Sequence, residues 1–230
     1  MDSQPIGAPV DPVTPLSPSR VALAGRFVLL QPLHADKHGP ALWEVIRGEA
    51  NHSLWRYLPY GPFANHGEFQ ADLKMKAAAA DSVFFAILDK ANARGYAALM
   101  RIVPENRCIE VGNVLFAPPL QRTPAATEAM YLLARYVFDE LHYRRYEWKC
   151  DALHARSRRA ALRLGFQFEG IFRQHRIVKG HNRDTAWFSM LDSEWPERKA
   201  NFERWLAPEN FDTSGKPIHS LSHLNGVPHE

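Results

Sequence analysis

The sequence predicts a mixed α/β (α+β) fold, in which a mostly antiparallel central sheet of about seven strands is flanked by helices. Apolar runs of strand length, bounded by Pro, Gly and Asn, occur at 26–33, 82–89, 95–103, 107–116, 144–150, 166–179 and 185–191. Segments with helical apolar spacing lie at 36–47, 68–80, 124–141, 157–164 and 194–206. The three strands between 82 and 116 are joined by short turns, which predicts an antiparallel meander.

The chain of 230 residues has room for one domain and two tails. We expect residues 1–20 to be a disordered arm, because prolines at 5, 9, 12, 15 and 18 remove amide donors and little apolar material is present. Residues 21–207 should form the folded domain. Residues 208–230 are polar in composition and are expected to be a flexible C-terminal tail.

Charge and composition argue against nucleic acid and membranes as partners. The formal net charge of +3 is mild, and no compact Lys/Arg block is present, so we expect no nucleic-acid partner. No apolar run approaches the roughly 20 residues of a membrane span, and the N-terminus lacks a signal pattern, so we expect a cytoplasmic protein that does not bind membranes.

We expect neither the cysteines nor the histidines to form a metal site. Cys108 and Cys150 lie in apolar or strand-like runs, which favours two buried thiols in a reducing compartment over a redox or metal pair. His219, His223 and His229 belong to the predicted tail, so no metal is expected.

Residues 121–129 connect a predicted strand to the long helix that starts at Pro124. Thr123 can cap this helix, with Pro124 at its first position, where a missing amide costs least. The first amides of a helix lack intrahelical partners, and the helix dipole adds positive potential. The pattern therefore predicts a phosphate-binding cradle.

Several local motifs accompany this cradle in the predicted order of elements. They are the cradle at 121–129, Trp-Lys-Cys-Asp at 148–151, a short helix ending in Leu-Gly-Phe at 164–166, Glu-Gly-Ile-Phe-Arg at 169–173, Arg-Asp at 183–184 and Trp-Pro at 195–196. Over residues 26–196 the chain resembles the GNAT superfamily of acetyl-CoA-dependent N-acetyltransferases. It looks most like the subgroup that includes the ribosomal-protein N-terminal (alanine/serine) acetyltransferases. The resemblance implies a splayed sheet, acetyl-CoA as cosubstrate and an amine acceptor; whether the chain forms a homodimer is open.

The resemblance also implies which residues contact acetyl-CoA. Gln121 and Ala126 match the family's cradle, whereas Pro124 stands in place of its first glycine and His154 in place of an Asn that contacts the CoA arm. The strand backbone near Leu115 and Phe116 is implied to pair with pantetheine. The implied cofactor-binding residues are Leu115, Phe116, Gln121, Arg122, Thr123, Ala125, Ala126, Thr127, His154 and Ser157.

Acetylation of an amine requires a proton acceptor for the amine and a proton donor for the departing thiolate. Glu110 is the candidate acceptor, or else an ordinary charge at a strand end. Ser157 is the candidate donor or CoA contact, or else a helix N-cap. His154 can contact CoA, act in acid–base chemistry or be an exposed cap residue.

The acceptor pocket is expected around residues 54–63, which contain four aromatic residues, two prolines and one glycine. This loop is either a pocket wall or a hydrophobic plug over the core. Arg183, next to Asp184 at the predicted tip of the last hairpin, either faces the acceptor or forms a turn pair. Arginines 156, 158, 159 and 163 form either a solvated face or a contact with the CoA 3′-phosphate. The candidate substrate-binding residues are Trp55, Tyr57, Tyr60, Phe63 and Arg183.

The predicted function is the transfer of an acetyl group from acetyl-CoA to a primary amine, by direct attack in a ternary complex. The amine is a small molecule or a protein N-terminus. The alternative is a non-catalytic acyl-CoA-binding regulatory or interaction module, which the departures at Pro124 and His154 motivate.

Overall fold

A computed structural model describes residues 4–89 and 91–227, so His229 lies outside the described residues. Its strands are β1 (Leu23–Ala24), β2 (Val28–Pro32), β3 (Val83–Asp89), β4 (Asn92–Val103), β5 (Cys108–Phe116), β6 (Arg145–Asp151), β7 (Gln167–Val178) and β8 (His181–Leu191). Its α-helices are α1 (Ala35–Ile46), α2 (His66–Ala78), α3 (Pro124–Arg135), α4 (Ala155–Arg163), α5 (Trp195–Leu206) and α6 (Leu221–Leu224). No helix of this part of the chain is long and apolar enough to span a bilayer.

The strands form one sheet in the order β1-β2-β3-β4-β5-β6-β8-β7. Every neighbouring pair is antiparallel except β5 and β6, which are parallel. The predicted mixed fold is therefore confirmed. The eighth strand is β1, two residues that pair with Leu29 and Leu30.

Helices cover both faces of the sheet, but unequally. On one face, Phe84 and Ala86 of β3 pack with Leu42 of α1 and Phe69 of α2. On the other face, the alternate β3 residues pack in the core cluster that contains α3 and α5. Since β3 is buried on both sides, its residues are nearly all apolar. Helix α1 packs on β4 and helix α2 packs on β3, away from β7 and β8 at the end of the sheet.

The sheet splits between β5 and β6. The two strands pair only from Cys108 to Val111, opposite Arg145 to Trp148. Beyond that point β5 acquires one extra residue relative to β4, since Gly112 pairs with Ala98 but Leu115 pairs with Tyr96. This β-bulge bends the strand away from β6. The gap that results is next to the start of α3.

Helix α3 is joined to the first hairpin by a buried carboxylate. Glu128 accepts hydrogen bonds from the amides of Arg26 (2.8 Å), Phe27 (2.6 Å) and Val28 (2.9 Å). Three amides of the β1–β2 turn are thereby satisfied by one side chain of α3. This contact fixes β1 and β2 against the helix that opens the predicted cradle.

The described parts of the two predicted tails contact the domain. The Leu16 amide donates to the Leu141 carbonyl at 3.0 Å, and the Ser19 amide donates to the Tyr136 hydroxyl at 3.0 Å. At the other end, Leu221 is fully buried. The domain boundaries at 20/21 and 207/208 remain predictions.

Candidate active site

A cavity of about 150 Å³ lies at the gap between β5 and β6. Five of the predicted site residues line it, namely Tyr57, Glu110, His154, Ser157 and Arg183. The other predicted residues, including the whole stretch 121–127, are not among its lining. A larger hollow of about 660 Å³ is open and is bounded only by residues 172–175 of one strand, so it lacks the converging groups of the smaller cavity.

Glu110 is the carboxylate of β5 that lines the cavity, and only 4% of its surface is exposed. Its Oε2 lies 2.9 Å from Lys149 Nζ and 3.0 Å from Arg101 Nε, although neither contact has hydrogen-bond geometry. Lys149 Nζ is also 2.7 Å from Glu147 and 3.8 Å from the centre of the Trp187 ring. Burial raises the pKa of Glu110, and the two cations oppose that rise. Glu110 can therefore accept a proton at a higher pH than an exposed glutamate.

Ser157 lies on the other side of the gap, in the first turn of α4. The helix begins at Ala155, so Ser157 is its third residue, and the predicted alternative of an N-cap role is wrong. Trp148 Nε1 donates to Ser157 Oγ at 3.0 Å. An indole nitrogen is only a donor, so the Ser157 hydroxyl proton is not used in this contact. Cys150 also lines the cavity, and burial raises the pKa of its thiol.

His154 and Tyr57 close one side of the gap. Their rings stack with centroids 4.2 Å apart and an interplanar angle of 16°. The Tyr57 hydroxyl also donates to the Leu153 carbonyl at 3.4 Å. His154 occupies the N-cap position of α4 but makes no side-chain cap bond, and burial lowers its pKa. The stack joins the loop before α2 to the loop before α4, which residue patterns alone did not predict.

The aromatic loop divides between the cavity and the core. Trp55 is 2% exposed and packs edge-on against Phe63, with ring centroids 5.2 Å apart. The Tyr60 hydroxyl donates to Asn113 Oδ1 at 3.3 Å, which places Tyr60 behind the cavity wall that Asn113 helps to form. Of the four aromatic residues, only Tyr57 lines the cavity.

The start of α3 presents free amides. Thr123 Oγ1 accepts from the Ala126 amide at 3.2 Å, and the Thr123 carbonyl accepts from the Thr127 amide at 3.4 Å. Within the described residues, the amides of Arg122, Thr123 and Ala125 have no hydrogen-bond partner. Pro124, at the first helical position, has no amide hydrogen. Three amides are thus available to an anion at this helix start.

The remaining predicted cofactor contacts lie between this helix start and the gap. Gln121 Nε2 donates to the Phe116 carbonyl at 2.8 Å and so ties the cradle to the end of β5. Leu115 and Phe116 pair with β4 on one side, whereas β5 has no pairing with β6 after Val111. That unpaired edge can hydrogen-bond to an extended ligand, as an added strand would.

The four arginines of α4 do not share one environment. Arg156 and Arg159 are exposed. Arg158 donates to the Ala152 carbonyl at 3.3 Å, and Arg163 donates to Thr127 Oγ1 at 3.1 Å beside the cradle helix.

Arg183 lies inside β8, not at the tip of a hairpin. The predicted turn at 180–184 is wrong, because His181 already pairs with Val178 and Arg183 pairs with Arg176. Regular pairing resumes this early because the turn itself needs only Lys179, at φ 49°, and Gly180, at φ 78°. Arg183 therefore projects from a strand into the cavity wall.

No group of three or more His, Cys, Asp or Glu side chains that could hold a metal ion is found within residues 4–89 and 91–227.

The Acetyltransferase (GNAT) domain family matches residues 28–167 of this chain. The chain belongs to this family. A GCN5-related N-acetyltransferase from Brucella melitensis is 47% identical, with a TM-score of 0.91, covering 94% of this GNAT chain and 100% of its own. A probable GNAT-family acetyltransferase from Chromobacterium violaceum is 42% identical, with a TM-score of 0.76, 84% coverage of this chain and 100% of its own.

A more distant structure shares the fold alone. The microcin C7 self-immunity acetyltransferase MccE, described in complex with acetyl-CoA and AMP, is 19% identical, with a TM-score of 0.65, 73% coverage of this chain and 93% of its own. The search of curated proteins found no match. The predicted GNAT family is confirmed; its ribosomal-protein subgroup remains a prediction.

Proposed function

We propose that this GNAT protein transfers the acetyl group of acetyl-CoA to a primary amine by direct attack in a ternary complex. The observation that carries the proposal is the gap between β5 and β6, which has free helix amides at one end and buried Glu110 at the other. In this reaction the amine nitrogen bonds to the acetyl carbon and the thioester C–S bond breaks. The amine gives up one proton and the thiolate of CoA takes up one.

The described residues fit acetyl-CoA. The free amides of Arg122, Thr123 and Ala125 suit its pyrophosphate, and the unpaired edge of β5 suits the amides of its pantetheine arm. The MccE structure, which is described in complex with acetyl-CoA, supports acetyl-CoA as the cosubstrate.

Two side chains of the gap suit the two proton transfers. Glu110, with its raised pKa, would accept the proton of the amine, directly or through a water molecule. Ser157 has a hydroxyl proton that its contact with Trp148 does not use, and it would give that proton to the thiolate. An acetyl-cysteine intermediate on Cys150 is disfavoured, because burial raises the pKa of this thiol and so depletes the nucleophilic thiolate.

One observation favours a second candidate, a non-catalytic acyl-CoA-binding module. Pro124 removes one amide from the helix start, so the cradle has fewer donors than a glycine there would leave.

For the transferase, the proposed acceptor is a small amine or a protein N-terminus, the latter as in the ribosomal-protein subgroup. We place the reaction in the cytoplasm because Cys108 and Cys150 are both free thiols.

The two candidates differ in turnover. Release of CoA with a panel of primary amines, followed with a thiol reagent, would support the enzyme. Tight acetyl-CoA binding by calorimetry without release across the panel would instead favour the module.

A substitution at Arg122 tests the cradle. The Arg122 side chain is exposed, so Arg122→Glu places a carboxylate beside the free amides and should weaken acetyl-CoA binding by about tenfold or more. Arg122→Gln is the matched control, and equal affinities for both variants would refute the assignment of the cradle.

A further inference from the structure

Two arginines face each other across the β7–β8 hairpin at one wall of the cavity. Arg176 of β7 is directly opposite Arg183 of β8 in the antiparallel register. Opposite residues of an antiparallel pair point to the same face of the sheet. Both side chains line the cavity that contains Glu110, so the proposed proton acceptor and this arginine pair share one space.

The positive charge of this pair exceeds the negative charge beside it, because Asp151 also lines the cavity but carries only one negative charge against two arginines. Among the described residues, neither Arg176 nor Arg183 takes part in an ion pair, whereas the other cations of the cavity, Arg101 and Lys149, are both paired with Glu110. The Nε atom of Arg183 is buried and has no hydrogen-bond partner. The arginine pair therefore holds unused hydrogen-bond donors next to the reaction site.

This arrangement costs stability in the free protein. Like charges that are directly opposite in a sheet repel each other, and a buried donor without a partner loses its hydration. Burial and the nearby Arg176 lower the pKa of Arg183, although Asp151, Cys150 and Glu110 oppose that effect. An anion between the two guanidinium groups would remove both costs.

We propose that Arg176 and Arg183 bind an anionic group of the acceptor, so that the preferred substrate is a primary amine that also carries a carboxylate or a phosphate. This inference rests on the proposed acetyl transfer. The planar guanidinium group matches the paired oxygens of both anions. The phosphates of CoA have separate donors at the start of α3, whose residues do not line this cavity. With a volume of about 150 Å³, the cavity holds only the amine head group and the atoms next to it.

The test compares amines that differ only in the anionic group. Suitable pairs are β-alanine with β-alaninamide, O-phosphoethanolamine with ethanolamine, and tetrapeptides with Asp or Asn as the second residue. In the wild-type protein, kcat/KM for CoA release should be at least about tenfold higher for the anionic member of one or more pairs. A response in the β-alanine pair would identify a carboxylate on a small amine, and a response in the O-phosphoethanolamine pair would identify a phosphate. A response in the tetrapeptide pair would identify a peptide acceptor. Equal use of both members in every pair would overturn the inference.

Arg183→Met should remove the preference, so that kcat/KM falls more for the anionic amine than for its neutral partner. Arg204→Met, an exposed cation of α5 on the opposite face, is the matched control and should keep the preference. A preference that survives Arg183→Met, or is lost in Arg204→Met as well, contradicts the assignment. An equal loss of acetyl-CoA affinity in Arg183→Met would assign the pair to the cofactor and also overturn it.

Calorimetry separates this inference from the proposed function. Absence of CoA release with every amine would refute the transferase, but binding of the anionic amines can still be measured. Weaker binding by about tenfold in Arg183→Met, with a melting temperature that is not lowered, would support the anion site alone. Equal binding by the wild-type and variant proteins would refute it whether or not turnover occurs.

Discussion

Replacing Glu110 with Gln should lower kcat/KM for acetyl transfer by about 10²–10⁴-fold, the usual contribution of a general base. Glutamine has nearly the same shape as glutamate but cannot accept the proton. The substitution therefore separates a proton acceptor from an ordinary charge at the end of a strand, the two roles that the sequence left open.

The effect of this change on stability should be small. Lys149 keeps Glu147 at 2.7 Å, so removal of the Glu110 charge does not leave it unpaired. The Arg101 side chain is 39% exposed, and solvent screens it. We therefore expect the free energy of unfolding to change by less than about 2 kcal/mol, below the cost of a buried pair that loses its only partner.

The pH dependence gives an independent readout. Burial raises the pKa of Glu110 above its ordinary value of 4.5, so the acid limb of kcat/KM should lie above pH 4.5. Activity is lost as pH falls through this pKa, because the protonated carboxyl cannot accept. The sign for stability is opposite: a folded-state pKa above the unfolded value means that Glu110 stabilises the fold less as pH rises through that window. Both dependences should disappear in Glu110→Gln.

Glu147→Gln is the matched control. It removes a carboxylate from the same Lys149, but Glu147 does not line the cavity. Release of CoA should fall by less than about threefold in this variant. Glu110 is not the proton acceptor if Glu110→Gln keeps its activity within threefold across the pH range, or if Glu147→Gln loses as much activity.

Glu128→Ala should cost about 3 kcal/mol in urea denaturation, because it leaves three amides, of which that of Val28 is buried, without their acceptor. Glu128→Gln should cost less, and equal costs would contradict a role for the carboxylate. Lys76→Met leaves the buried Asp72 carboxylate, 2.5 Å from Lys76 Nζ, without its partner and should lower the free energy of unfolding by about 3–5 kcal/mol. Adding Asp72→Leu should restore most of this loss, and no recovery would argue against a charge effect. Tyr57→Ala removes the stack on His154 and should speed acetyl-CoA dissociation about fivefold in stopped-flow experiments, whereas Tyr57→Phe should not.

Local signals predicted most elements of the fold. Alternation and apolar runs gave β2 to β8, and Thr123 followed by Pro124 marked the start of α3, where Thr123 indeed caps the helix. Strand β1 was missed because two residues carry no periodicity. Its position depends on Glu128, a residue of a distant helix, so no pattern within residues 21–28 indicates it.

The cavity was predicted in part. Glu110, Tyr57 and Arg183 were singled out from their own surroundings in the sequence, whereas Lys149 and Arg176 were not. Both missed residues enter the cavity through strand register, which depends on the partner strand. Alternation along β8 could have placed Arg183 on one face with Trp187. It could not have placed Arg176 opposite Arg183, because that pairing follows from a turn at Lys179 and Gly180, whereas the turn was predicted at 180–184.

A bulge limits any prediction from alternation. From Glu110, strict alternation puts even-numbered residues of β5 on the face covered by α1 and α2, and Gly112, opposite Ala98, obeys it. Leu115 lies on that same face, in the cluster with Tyr96, because one extra residue enters β5 after Gly112. One added residue exchanges the two faces of everything that follows. The same extra residue separates β5 from β6. It therefore opens the gap at the candidate site and also interrupts the alternation along β5 from which the sequence predicts the strand faces.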